Sequence, residues 1–293
     1  MQERTTAAGK HWGLREGFLI CGGLILAGLL LQLVLGPVKW DAFVWPVSSC
    51  AFVVLVVLIG LMAFLRKRVY AFRFFTTSRA AIPALACAVV LTVAMGLIRQ
   101  NPDGTWLHAM LSFWPFVLIY LYIDVILGLT IVRRLTIRNK SFLSKIPFLL
   151  NHFGLFLAMT AATLGNADVQ RLRMIAVVGE PEWRAVKDDG TVRKMPLTIE
   201  LKRFIMETYP DGSPKRFASE LDVVTRSGET VHATVDVNKP LEVEGWKIYQ
   251  ISYDTSQGAQ SDYSILELVR DPWLPVVYAG IYMMLAGAVC MLW

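Results

Sequence analysis

The 293 residues predict a polytopic α-helical membrane protein of six spans, with an external antiparallel β-rich domain inserted before the last span. Three observations lead there. Hydrophobic residues make up 55% of the chain and the mean hydropathy is +0.49, too apolar for a chain that folds in water. Six stretches approach the roughly 20 apolar residues that a spanning helix needs. One long polar stretch, 166–271, interrupts them and alternates in the manner of strands.

The six expected spans cover about 17–36, 43–65, 80–98, 107–132, 146–164 and 273–293. The first, in LREGFLICGGLILAGLLLQLVLG, exceeds the apolar core of a signal peptide and reads as an anchor. Three regions follow: 1–165 with five spans, 166–271 as the β-rich domain, and 272–293 as the returning span. Net charge is +6, unevenly distributed. The domain holds 14 Lys/Arg against 18 Asp/Glu, and the rest of the chain 15 against five. Arg4, Lys10 and Arg15 precede the first span. Arg66, Lys67, Arg68, Arg73 and Arg79 join spans two and three, and Arg133, Arg134, Arg138, Lys140 and Lys145 join spans four and five. The opposite loops hold Lys39 and Arg99. Short loops rich in Lys and Arg stay in the cytoplasm, so both termini are expected inside and 166–271 outside. Trp40, Trp45, Trp106, Trp114 and Trp273 fall near the outer boundary, where amphipathic rings settle. The basic balance reports membrane topology, with lipid as its surroundings, and no nucleic-acid patch.

Within 166–271 six strands are expected, at 171–178, 196–207, 219–226, 229–238, 246–254 and 263–270. KDDG, YPDGSP, RSG and TSQGAQSD between them carry turn residues, and RSG reads as a hairpin. Cys21, Cys50, Cys87 and Cys290 all lie within expected spans, which excludes a disulfide framework and a thioredoxin-like CxxC pair. No Ser/His/Asp set, metal cluster or phosphate loop proposes catalysis.

Ionisable groups in hydrocarbon cost a few kcal/mol, and two need a reason. Asp124 lies nine residues before Arg133, roughly 13 Å from the inner boundary. His152 lies seven residues after Lys145, roughly 10 Å from the same boundary. On antiparallel neighbours the two side chains could share a depth, the carboxylate holding one ring nitrogen while the other binds a metal. Other readings stay open: His152 as the interfacial first turn of its span, and Asp124 paired with a loop arginine or a partner subunit. His11, in the N-terminal tail, is a weaker candidate, and His108, at the outer edge of span four, and His232, on a strand, read as structural.

Four segments carry a resemblance: NHFGLFLAMTAATLGNADVQRLRMIAVVGE, FIMETYPDGSPKRFASELDVV, VNKPLEVEGWKIYQISYD and DPWLPVVYAGIYMMLAG. In this order, over about 146–293, they resemble the ResB (CcsB) proteins of System II cytochrome c biogenesis. The resemblance implies a bacterial inner-membrane subunit that works with a CcsA-type, tryptophan-rich membrane partner. Together they would carry haem b outward and deliver it to apocytochrome c for thioether attachment. It aligns the family's membrane histidine, a proposed axial haem ligand, with His152, and leaves Asp124 as a candidate to orient that ring. One histidine supplies one axial position; the other comes from elsewhere or stays open. Asn238, Lys239, Pro240, Tyr249 and Gln250 are either core and turn residues of a hairpin or a surface that docks the partner or the apocytochrome. At most the chain is then a non-catalytic scaffold of a holocytochrome c synthase.

There are departures. The family commonly places three helices before the external domain, and five are expected here. No tryptophan-rich motif is present, and the chain ends at Trp293 with no tail. Two rival readings are a membrane-anchored b-type electron-transfer subunit and a haem-free assembly scaffold.

Overall fold

The computed structural model describes residues 12–101, 104–137 and 141–292. Arg4, Lys10, His11, Arg138, Lys140 and Trp293, used or named above, lie outside the described residues. The chain divides into two compact units, 1–167 with 273–293, and 168–272.

The first unit is helical: α1 (Leu14–Leu35), α2 (Val47–Leu65), the short α3 (Tyr70–Phe74), α4 (Ser78–Leu97), α5 (Trp114–Thr136), α6 (Ile146–Gly165) and α7 (Leu274–Leu292). Six of these segments are long and apolar enough to cross a membrane, matching the six expected spans to within a few residues. Helices are the form in which a lipid-embedded chain satisfies its backbone internally. Large apolar side chains such as Leu33, Val57, Val90 and Leu285 stay exposed, as lipid-facing positions require.

Helix α5 is the hub, packing against α1, α2, α4 and α6 and burying Ile119, Ile123, Ile126 and Leu129. Its first turn is capped from a distance. The Trp114 backbone N–H donates to Oε1 of Gln32, a buried amide in the last turn of α1, at 3.2 Å. Helices α6 and α7 meet along small residues. A Cβ on Gly154 would lie 2.5 Å from the Gly280 carbonyl oxygen, so only glycine permits this approach.

The second unit is one eight-stranded antiparallel sheet of order β5-β4-β3-β2-β1-β8-β7-β6. Its strands are β1 (Gln170–Val177), β2 (Pro181–Val186), β3 (Val192–Thr208), β4 (Pro214–Val224), β5 (Thr230–Asp236), β6 (Leu241–Val243), β7 (Trp246–Tyr253) and β8 (Tyr263–Arg270). The sheet curls until β4 and β5 also meet β7. Leu197, Ile199, Leu201, Leu221, Ile248, Leu266 and Leu268 fill the interior completely buried.

Eight strands form where six are expected. The missed strand β2 opens on a proline and is broken by a register shift between Glu182 and Arg184, which scrambles its alternation. The missed β6 has only three residues, too few to show a period. The RSG hairpin forms as expected: Gly228, at φ +84°, donates its N–H to the Thr225 carbonyl.

Candidate functional site

The loop entering α6 is pinned by Lys145. This lysine is buried, and its ammonium donates to the Ile137 and Leu135 carbonyls at the end of α5. These carbonyls lack helical partners, so a cation there is favourable. Pro147 then occupies the first turn of α6, where its missing N–H costs nothing.

Half-buried His152 follows one turn later. Its Nδ1 lies 3.0 Å from the carbonyl oxygen of Phe148, four residues back. A carbonyl can only accept, so Nδ1 carries the proton in this bond, and in the neutral ring Nε2 holds the lone pair. The imidazole stacks on the Phe148 ring with centroids 3.8 Å apart and planes 19° apart. The Arg134 guanidinium, on α5, lies 5.0 Å from the Phe148 centroid.

Asp124 is buried, as its place on the central helix requires, but it does not reach His152. It lies beside Thr160, whose hydroxyl donates to the Phe156 carbonyl at 2.7 Å, and its Oδ1 is buried without a hydrogen-bond partner among the described residues. Thr160 lies eight residues beyond His152, about 12 Å further along α6. The shared depth expected from the sequence fails because Arg133 does not mark the end of its helix. Helix α5 continues to Thr136, and Arg134 folds back over Phe148, so the level of His152 on α5 is that of the arginines. The carbonyl of Phe148, instead of a carboxylate, orients the ring. Phe148 went unnoticed in the sequence, and Arg134 was read only as a topology marker, although an aromatic residue four positions before a helical histidine shares its face.

The docking candidates of the second unit divide by strand parity. Trp246, Ile248 and Gln250 point inward from β7 and are buried, whereas Tyr249 points outward. Gln250 is therefore corrected from a docking residue to a core residue: its Oε1 accepts from Ser219, and its Nε2 donates to the Ser252 carbonyl at 2.7 Å. Asn238 and Lys239 are exposed at the turn between β5 and β6, followed by half-buried Pro240. They line a 660 Å³ cavity with Glu207, Tyr209, Arg216 and Phe217. Arg216 holds its wall through Asp236 at 2.6 Å and Glu207 at 3.1 Å.

The remaining described histidines, His108 and His232, are occupied locally. His108 Nδ1 lies 3.2 Å from the Arg99 carbonyl oxygen. Exposed His232 pairs through Nδ1 with Asp222, its direct cross-strand neighbour, which holds that carboxyl below its ordinary range. Among the described residues no three His, Cys, Asp or Glu gather to hold a metal ion.

Fold and site define a class: a multi-pass helical membrane protein with an inserted antiparallel β domain and a membrane-embedded, oriented histidine. Residues 135–261 match the model of the ResB-like family, and over that stretch the chain is similar to cytochrome c biogenesis proteins. "Cytochrome c biogenesis protein CcsB" of Prochlorococcus marinus (strain NATL1A) is 28% identical over 105 residues, 36% of this chain and 24% of that protein. CcsB of Synechococcus sp. (strain RCC307) is 30% identical over 141 residues, covering 46% and 32%. "Protein NrfI" of Wolinella succinogenes is 31% identical over 95 residues, covering 32% and 10%. The chain thus matches from a tenth to a third of the length of these relatives. Among solved structures, "Cytochrome c Heme Lyase CcmF" aligns with 95% of this chain and 46% of its own, at 18% identity and a TM-score of 0.39, too loose to define a shared fold.

Proposed function

We propose that this chain is a membrane subunit of a System II-type cytochrome c biogenesis complex that holds haem b at His152 on its way to apocytochrome c. The observation that carries the reading is the geometry of His152. It lies inside the ResB-like stretch, its Nδ1–H is committed to a backbone carbonyl, and its Nε2 lone pair is left for a metal. These residues fit haem as the cofactor: a neutral imidazole fixed at one nitrogen is what an axial position takes. Bound haem would supply the vinyl groups to which the apocytochrome thiols add. The chain's own contribution is one axial ligand, an apolar bundle around it, and proximity. A CcsA-type, tryptophan-rich partner is the proposed source of the second axial ligand and of the remaining machinery.

The same reading places the chain in the bacterial inner membrane. Both termini face the cytoplasm and 166–271 faces the periplasm, because the basic residues gather at one end of the helices. Asn238, Lys239, Pro240 and Tyr249 are the proposed docking face for the partner or the apocytochrome. The test is to purify the chain with its partner and record the haem spectrum of wild type and His152→Ala. Loss of the Soret band in the variant is expected; unchanged haem content and band shape overturn the ligand role.

A further inference from the structure

His152 does not stand alone on its helix face. It belongs to a cluster that begins on a different helix: the Arg134 guanidinium over the Phe148 ring, and the imidazole stacked on that same ring. The Arg134 guanidinium carries a buried Nε–H without a hydrogen-bond partner among the described residues, and it forms no ion pair with a carboxylate among them. What holds it against Phe148 is therefore the face of the ring. The phenyl group thus contacts two planar groups, one from α5 and one from its own helix. A histidine side chain on a helix turns about two bonds, and only part of that range brings Nδ1 to the carbonyl four residues back. The ring at 3.8 Å removes the rest, because an imidazole turned away from it loses the whole stacked face.

We infer that Phe148 and Arg134 are positioning residues that lock the His152 imidazole in the tautomer and direction that present Nε2. The lock joins α5 to α6, so the ligand's direction is set relative to the bundle as well as to its own helix. In the carbonyl-bonded state the proton stays on Nδ1, and no ionised carboxylate is required.

The experiment uses the full chain in detergent micelles. One arm needs no haem: histidine-labelled heteronuclear NMR, with His152→Ala identifying the resonance, reads the tautomer directly. Wild type is expected to show Nδ1–H with an unprotonated Nε2. Phe148→Leu, which keeps an apolar side chain but removes the flat face, is expected to mix the tautomers, and Phe148→Tyr to restore one. Arg134→Gln is expected to mix them to a smaller degree. A single unmixed tautomer in Phe148→Leu, in a variant whose helical circular dichroism equals wild type, overturns the inference. The second arm rests on the haem-ligand reading: haem titration should show about a tenfold loss of affinity in Phe148→Leu, with recovery in Phe148→Tyr. Equal affinities in wild type and Phe148→Leu also overturn it. If His152→Ala leaves haem binding intact, the ligand reading has failed, and the tautomer arm alone decides the stack.

Discussion

Gly154 and Gly280 face each other so closely that a Cβ on the first would lie 2.5 Å from the second's carbonyl oxygen, and a Cβ on the second 2.6 Å from the first's. The contact is reciprocal, and it continues at Gly287, where a Cβ would come 2.6 Å from Nδ2 of Asn151. The helix that carries His152 is thereby seated against α7 immediately beside the histidine.

Gly280→Leu should force α6 and α7 apart and cost about 1–3 kcal/mol of unfolding free energy. Denaturant titration in micelles measures it. Gly60→Ala on α2, where an added Cβ meets nothing within 4 Å, serves as the comparison and should be neutral or slightly stabilising. Equal midpoints for Gly280→Leu and wild type would show that the seam is not a packing constraint.

Because Asp124 meets Thr160 and not His152, Asp124→Asn should keep its haem. Haem content after purification and the Soret maximum are expected to match wild type within about twofold, far from the 10–100-fold effect of removing a ligand's orienting partner. A loss on the scale of His152→Ala would return Asp124 to the ligand's support.

In the β domain, Ser219 on β4 contacts both Gln250 on β7 and Ser264 on β8, all three fully buried. A serine has one hydroxyl proton. Since the Gln250 Nε2 donates to Ser252, Ser219 donates to the amide oxygen and accepts from Ser264. Gln250→Leu removes the acceptor of the Ser219 hydroxyl and the donor to the Ser252 carbonyl in the core, and should destabilise the domain by about 1–3 kcal/mol. Urea unfolding of the full chain, read by fluorotryptophan NMR at core residue Trp246, checks this; an unchanged midpoint would mean the network contributes nothing.

Acid should weaken the same domain. Glu182 accepts two hydrogen bonds from the Arg184 side chain, both at 2.9 Å, and these with backbone N–H groups hold its carboxyl at about 2, below its ordinary 4.5. Arg216 holds Asp236 low, and His232 holds Asp222 low. A carboxyl depressed in the folded state stabilises above its unfolded value and loses that contribution as pH falls through the folded one. For Glu182 the loss therefore runs from about pH 4.5 down to about 2. Urea midpoints at stepped pH should fall across that window, and Glu182→Gln should make the slope shallower. A parallel slope would show that the exposed partner Arg184 contributes too little, as solvent screening permits.

The spans and most of the strands were legible because each is written in local pattern. Long apolar runs need no partner to be recognised, and the period-2 alternation of 196–207, 219–226 and 246–254 survives into β3, β4 and β7. The same parity, applied to β7, would have separated buried Gln250 from outward Tyr249. Strands β2 and β6 were hidden by a bulge and by brevity. The Asp124–His152 pairing misled because charge was used as a ruler for depth, and arginine side chains reach back along their helices.

By itself the sequence determined that this protein crosses a membrane six times, carries a β domain between the fifth and sixth crossings, and resembles the ResB family around an intramembrane histidine. Hydropathy and strand alternation are properties of neighbours along the chain, so they can be read without coordinates. Only the tertiary structure decided which nitrogen of His152 faces a carbonyl, which groups hold the ring, and that Asp124 lies beside Thr160 and not His152. Those depend on how far α5 continues and how α6 is rotated against it, and packing across helices sets both.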